Sequence, residues 1–404
     1  MPAATPGTPS LLRAMNDRAA LELLLTHGPL SRTRIGHLTG LSKPTASQLL
    51  ARLEAAGLVV ATGTDGGRPG PSAQLYTLNS RAAHVGGLDV TPERVLAAVA
   101  DVTGTVIGSF ALPYTEGADA VGQVTTALGG AVEAAGLTTA DLHRLVIATP
   151  GAFDPRSGRL RYASHLPGWH SPTLLDELAA ALPMPVEYEN DVNLAAVAEQ
   201  RLGAARGHED FVLLWNEDGL GAALVLGGRL HRGWTGGAGE VGFLPVPGHP
   251  LVRQVTRANS GGYQELAGAQ VLPALAAGHG IETPGGGADG PDGGEVAVAV
   301  ALLERAAAAP DGPYPGFLRS YATLLATGLA SLVSVLDPEI VVLSGAVITA
   351  GGEPLRALLE TELAELAPSR PRLVTGQVLE RPVLRGALES ALAATREEVF
   401  DTSR

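Results

Sequence analysis

Residues 31–53 read Ser31-Arg32-Thr33-Arg34-Ile35-Gly36-His37-Leu38-Thr39-Gly40-Leu41-Ser42-Lys43-Pro44-Thr45-Ala46-Ser47-Gln48-Leu49-Leu50-Ala51-Arg52-Leu53. Ser31 and Ser42 each stand just ahead of a run with helical apolar spacing, the place of an N-cap. The first run predicts a short helix from Arg32 to Leu38 that stops at Gly40. The second predicts a helix with Pro44 tolerated in its first turn and a buried stripe of Ala46, Leu49, Leu50 and Leu53, ended by Gly57. The tight turn Thr39-Gly40-Leu41 between them is what a helix-turn-helix requires.

Working outward, Ser10 precedes a third helical pattern with Leu11, Leu12, Met15, Ala19, Leu23 and Leu24, ending near Gly28. Downstream, two β-runs, Leu58 to Thr62 and Gln74 to Leu78, flank a turn holding Gly63, Gly66, Gly67, Arg68, Pro69 and Gly70. Three helices and a hairpin predict a winged helix-turn-helix over residues 10–80. Its third helix would enter the major groove of double-stranded DNA. Lys43, Thr45, Ser47 and Gln48 would then face base edges or phosphates, and Arg52, two turns on, a phosphate. Arg68 at the wing tip would enter the minor groove. A helical dimerisation or docking domain shares the apolar pattern; caps, turn, wing and local charge together favour DNA.

Charge follows the same division. The chain has 404 residues and a formal charge of −13, yet residues 1–80 carry +3, leaving −16 for the rest, and Lys43 is the only lysine. That asymmetry fits a small basic module on an acidic body. The length predicts about two or three domains. The absence of cysteine excludes disulfides, thiolate zinc sites, iron–sulfur clusters and cysteine nucleophiles. No apolar run reaches the roughly 18 residues of a membrane span, and the opening MPAATPGTPS has no secretory pattern. The expected location is cytoplasmic and nucleoid-associated, with no membrane partner.

Beyond residue 81 the pattern alternates strand and helix, an α/β body. Predicted strands are 85–90, 94–101, 105–112, 145–148, 211–215, 221–226 and 340–343. Predicted helices fall near 118–135, 172–181, 192–202, 264–277, 295–309, 315–335, 354–366 and 385–396. Residues 1–9 are expected to be a disordered tail. The Gly/Pro/Asp-rich stretch 283–294 is expected to be a flexible insert.

Within this body stand Gly87-Leu88-Asp89, Thr149-Pro150-Gly151, His165-Leu166-Pro167-Gly168-Trp169, Glu189-Asn190-Asp191, Gly236-Gly237-Ala238-Gly239-Glu240-Val241-Gly242 and Val342-Leu343-Ser344-Gly345. In order and spacing they resemble the ROK family (repressor, open reading frame, kinase), and the winged helix in front resembles its transcription-regulator branch. The resemblance implies a two-lobed actin/hexokinase-like (ribonuclease H-like) body. The first lobe would span about 81–205 plus a returning helix at about 380–404, and the second about 206–379. The ligand cleft would lie between them. In sugar kinases of the family the Asp of Glu-Asn-Asp is the general base, a role Asp191 matches, while Asn190 matches a sugar-holding amide. Asp191 could equally cap the helix that follows it. Glu240 and Glu265 match two further sugar-contacting glutamates. Phe243 and His165 stand where the family has other cleft residues, and both are expected near an effector.

Three departures separate the chain from the kinases. The phosphate loop Asp-x-Gly-x-Thr reads Asp89-Val90-Thr91-Pro92-Glu93, which loses the glycine and one N–H and gains a like charge. The second loop, Gly-Thr-Gly-x-Gly, reads Glu217-Asp218-Gly219-Leu220-Gly221. Two like charges about 4 Å apart at an effective dielectric of about 20 cost on the order of 4 kcal/mol before screening. The family zinc ligands are replaced: Phe243 stands for the histidine, and the cysteine run reads Arg257 to Glu265 with Tyr263 at its last cysteine, so no zinc and no other cofactor is expected.

The reading is a DNA-binding regulator, a repressor of sugar-related genes, not an enzyme. It would act as a homodimer or higher homo-oligomer on a two-fold operator, with a sugar or sugar-like effector in the cleft. The alternatives are an ATP-dependent sugar kinase, and a regulator whose body is only a dimerisation scaffold.

Overall fold

The computed structural model describes residues 9–65, 73–113, 119–154, 159–161, 169, 171, 173–249, 251, 261–283 and 294–402. Residues 1–8 of the expected 1–9 tail, the wing tip with Arg68, His165, the run from Arg257 to Ser260 and nearly all of the 283–294 insert lie outside the described residues, while Pro9 opens the first helix.

The N-terminal module is built from α1 (Pro9–His27), α2 (Arg32–Thr39) and α3 (Lys43–Ala55), with β1 (Leu30–Ser31), β2 (Val59–Asp65) and β3 (Ala73–Leu78) in the order β1-β3-β2. Ser31 Oγ accepts the Arg34 N–H and Ser42 Oγ accepts the Thr45 N–H, so both serines cap as expected. Gly40 ends α2 at φ 71°, a left-handed conformation that favours glycine. Sequence reading missed β1. It is two residues long and owes its existence to β3, pairing Leu30 with Tyr76 and Ser31 with Leu75.

The body repeats one sheet plan twice. In each five-stranded sheet an antiparallel meander of three strands is extended, on the far side of its first strand, by two parallel strands. The first sheet has the meander His84–Val90, Arg94–Asp101 and Val106–Pro113, then Leu142–Thr149 and Val186–Asn190. The second has Phe211–Asn216, Leu220–Leu226 and Arg229–Leu230, then Ile340–Ser344 and Arg372–Thr375. Their inner faces share an apolar cluster with two helices, Asp191–Leu202 and Pro382–Val399. Those helices meet backbone to backbone: a Cβ at Gly386 would lie 1.8 Å from the Leu194 carbonyl oxygen. The outer face of the first sheet is covered by Ala120–Ala134 and Leu174–Ala181. The outer face of the second is covered mainly by Tyr314–Leu336, Gly294–Ala308 and Gly352–Leu366. Tyr314–Leu336 is long and apolar enough to cross a bilayer, but Phe317, Tyr321, Leu325 and Leu329 on it are buried in this core.

Several elements depart from expectation. The single helix expected over 264–277 is broken into Gly262–Ala267, a 3-10 turn at Ala269–Val271 and Leu272–Gly278. Gly268, extended at ψ 168°, and Pro273, which lacks an N–H, divide it. The strands Val186–Asn190 and Arg372–Thr375 were unforeseen. Both are short parallel edge strands without a continuous apolar run.

Two connections pass between the lobes, at 203–210 and 376–381, and one buried carboxylate braces both. Glu199 is fully buried. Its Oε2 accepts the Ala204 N–H at 2.7 Å and its Oε1 accepts the Val378 N–H at 2.8 Å. The N-terminal module is joined to the body by packing as well as by the chain: Ala83, Val102 and Phe400 belong to the same buried cluster as Leu21, Ile35, Leu49 and Leu53.

Candidate functional site

The first candidate surface is the face of α2 and α3. Lys43, Thr45 and Gln48 are exposed on the opening turns of α3, and Ser47 is half-buried beside them. Thr45 Oγ1 lies 2.8 Å from the capping Ser42 Oγ, and Ser47 donates to the Lys43 carbonyl at 2.9 Å, so those hydroxyls keep only part of their hydrogen-bonding capacity. Arg52 is turned toward the module itself. Its guanidinium donates at 2.6 Å to Asp17 on α1, whose side chain is only 4% exposed. Sequence reading overlooked Arg32, Arg34 and His37. All three are exposed on α2, and none has an ion-pair partner among the described residues. The signal was present: Arg-x-Arg in the first turn of the helix preceding α3 already supplies part of the +3 charge.

The second is a cavity of about 460 Å³ between the lobes. Asp89 reaches it from the first strand of the first sheet, Asn190 and Asp191 from the strand–helix junction, Glu217 and Asp218 from a turn in the second sheet, and Glu240 and Phe243 from the loop that follows. That loop depends on Gly239, at φ 98°, because a Cβ there would lie 2.0 Å from the Ala222 carbonyl oxygen. The structure thus brings together Asn190, Asp191, Glu240 and Phe243. It does not bring in Glu265, whose side chain is exposed outside the lining; the adjacent Gln264 faces the cavity, its Oε1 accepting the Leu220 N–H at 2.6 Å. The helix cap is Asn190 rather than Asp191. Asn190 Oδ1 accepts the Asn193 N–H and its amide donates to the Gly151 carbonyl, both at 3.0 Å. Asp191, the first helical residue, accepts the Val192 N–H at 2.8 Å.

Carboxylates dominate the electrostatics here. Burial pushes Asp191 up to about 7, helped by the charges of Asp89, Glu240 and Glu217 and opposed by the Val192 N–H. Burial likewise raises Asp89 to about 6 against the pull of Arg94 and Arg381. Glu217 is raised to about 7 by burial and by Asp218 and Asp89. Burial also raises Glu240. At neutral pH such a cleft suits neutral, hydroxyl-rich or cationic ligands better than polyphosphate.

Both phosphate-loop positions are occupied by the protein's own groups. The Thr91 hydroxyl accepts the N–H groups of Glu93 and Arg94, and Thr91 N donates to the Arg94 carbonyl, which closes the first loop on itself. In the second, the Glu217 carboxyl group accepts the Ala346 N–H beside Gly345. Tyr263 is fully buried and donates to the Leu325 carbonyl at 2.6 Å, filling the second lobe's core. Among the described residues no group of three His, Asp or Glu side chains is arranged to hold a metal. An ion pair joins the lobes beside the cavity: Arg232 Nε lies 2.5 Å from Glu189 Oε2, while Glu189 Oε1 accepts the Asn190 N–H and the Asn193 amide.

With this geometry in place, the comparisons with known proteins are specific. The ROK family model matches residues 85–394, and the chain belongs to the ROK family. A MarR family model matches residues 16–68. The bifunctional enzyme NanE/NanK of Brucella suis is 37% identical over 194 residues, 47% of this chain and 32% of that one; the chain thus spans only about a third of that relative's length. The xylose repressor of Caldicellulosiruptor bescii is 27% identical over 243 residues, 59% of this chain and 61% of that one. A solved ROK family transcriptional regulator, homologous to the Escherichia coli MLC protein, shares the fold over 96% of this chain and 99% of its own, with a TM-score of 0.68 at 20% identity.

Proposed function

We propose that the chain is a DNA-binding transcriptional regulator, a repressor of sugar-related genes, whose cleft takes a sugar-like effector and does not transfer phosphate. One observation carries the reading. A capped helix-turn-helix with an exposed polar face is packed onto a kinase-like body in which Thr91 closes the first loop on itself and Glu217 and Asp218 place carboxyl groups in the second. The xylose repressor match supports the regulatory role. A module of charge +3 binds DNA weakly alone, so a homodimer on a two-fold operator is the working form, in the cytoplasm at the nucleoid. Asn190, Asp191, Glu240 and Phe243 are the effector contacts, and Lys43, Thr45, Ser47 and Gln48 the base or phosphate contacts. Arg68 and His165 remain proposals from sequence alone.

Gel-shift titration of the pure protein against the DNA upstream of its own gene, across a salt series, tests the DNA role; no salt-dependent specific binding overturns it. The kinase reading draws support from the NanE/NanK match. ATP turnover with a hexose panel, lost in Asp191→Ala, would establish it. Isothermal titration with the same sugars separates an effector site from a scaffold: no heat with any sugar, with DNA binding retained, favours the scaffold.

A further inference from the structure

The helix Pro382–Val399 touches the cleft at one end and the DNA-binding module at the other. Its entry residue Arg381, held at the left-handed φ of 48°, lines the cavity together with Pro382 and Val383. Its 18 residues span about 27 Å. Along that length it lies against Asp191–Leu202 and shares the inner apolar cluster through Leu384, Leu388 and Leu392. At its far end Arg396 Nε donates to the Val102 carbonyl at 2.9 Å, and Phe400, 3% exposed, enters the core of the DNA-binding module. The Thr402 hydroxyl donates to Asp17 Oδ2 at 3.1 Å, and the other oxygen of the same carboxylate accepts from Arg52 on α3. Asp17 is 3% exposed, so neither bond competes freely with water.

We propose that this helix is a rod that reports the state of the cleft to α3, with Asp17 as the positioning residue at which the report is delivered. A rigid helix is displaced along its length when its first turn moves, because its packing partners interdigitate and do not flow. Arg381 starts that first turn from a backbone conformation an L-residue adopts reluctantly, and it does so in the wall of the cavity and in the connection that Glu199 braces. Movement there arrives, by way of Thr402, at a carboxylate 385 residues before Thr402 in the sequence that also fixes α3.

The test needs neither an effector nor an operator, so its failure is separate from failure of the regulator reading. Hydrogen exchange of the α3 amides is followed in the full chain. The rod is disturbed at its cleft end by Arg381→Gly or, independently, by Val383→Ala. Each variant is made in the native background and in an Asp17→Asn, Thr402→Val background. Coupling predicts that the cleft-end changes alter α3 exchange by about fivefold or more in the native background and add nothing when the junction is broken. Unchanged α3 exchange in the native background, or an equal change in both, overturns the proposal. A purely structural role for Asp17 would raise exchange but leave the response to the cleft-end variants intact. If Arg381→Gly does not fold, Val383→Ala gives the same reading.

Discussion

The Arg52 guanidinium, on the helix that carries the candidate base-reading residues, bonds Asp17 on α1 at 2.6 Å, 35 residues away in sequence. An arginine with the spacing of a phosphate contact thus holds the module together. Arg52→Ala leaves a buried carboxylate without its cation, and chemical denaturation is expected to show a loss of about 1–3 kcal/mol. The slope of log affinity against log salt is expected to stay as it was. A slope reduced by about one would return Arg52 to the phosphate contacts.

On α2 the exposed Arg32 and Arg34 are expected to behave in the opposite way. Replacing either by alanine leaves the melting temperature in place, weakens DNA binding evenly across sequences and lowers the salt slope by about 0.9. Gln48→Ala is expected to cost about 1–3 kcal/mol at a single base pair. Titrations against a set of single-substitution operators distinguish the two patterns.

The cleft carboxylates give stability a pH dependence of definite sign. Asp191 and Glu217 are raised to about 7 and Asp89 to about 6, so between about pH 4 and 7 the folded chain holds protons that the unfolded chain has released. Unfolding then becomes easier as pH rises through that interval. Asparagine mimics the protonated acid. Asp191→Asn is therefore expected to match the native protein near pH 4 and to gain on it toward pH 7, by at most about 1.4 kcal/mol per pH unit for one proton. Urea melts at several pH values measure this; a gap that narrows with rising pH contradicts it.

Glu199 bonds both inter-lobe connections from within the core. Glu199→Ala leaves the Ala204 and Val378 N–H groups buried without an acceptor. The expected loss is about 1–3 kcal/mol for each, with the milder Glu199→Gln retaining one acceptor. Thermal denaturation checks the order Ala below Gln below native.

Local signals were legible in the sequence where one residue decides one bond. Ser31 and Ser42 cap their helices because a serine before an apolar-periodic run has few other uses. The adjacent pair Asn190-Asp191 offers two side chains of equal capping ability, and only the fold chose Asn190. At Gln264 and Glu265 a register error of one residue turns a helical side chain by about 100°, enough to exchange cavity for solvent. Val186–Asn190 reads VEYEN, with too little apolar character to announce a strand, and its partner Leu142–Thr149 supplies the missing information. The Arg52–Asp17 and Thr402–Asp17 bonds are tertiary, and no local pattern reports them.

The seating of Phe400 and Thr402 against α1 also bears on the order in which the protein is made. Residues of the N-terminal module are made well before Phe400 and Thr402, yet those two residues complete the packing that sets α3 in place. A nascent chain, or one cut short before Phe400, presents α3 over an open core. The placement of α3 is thereby deferred until the ROK body has been synthesised as far as Thr402.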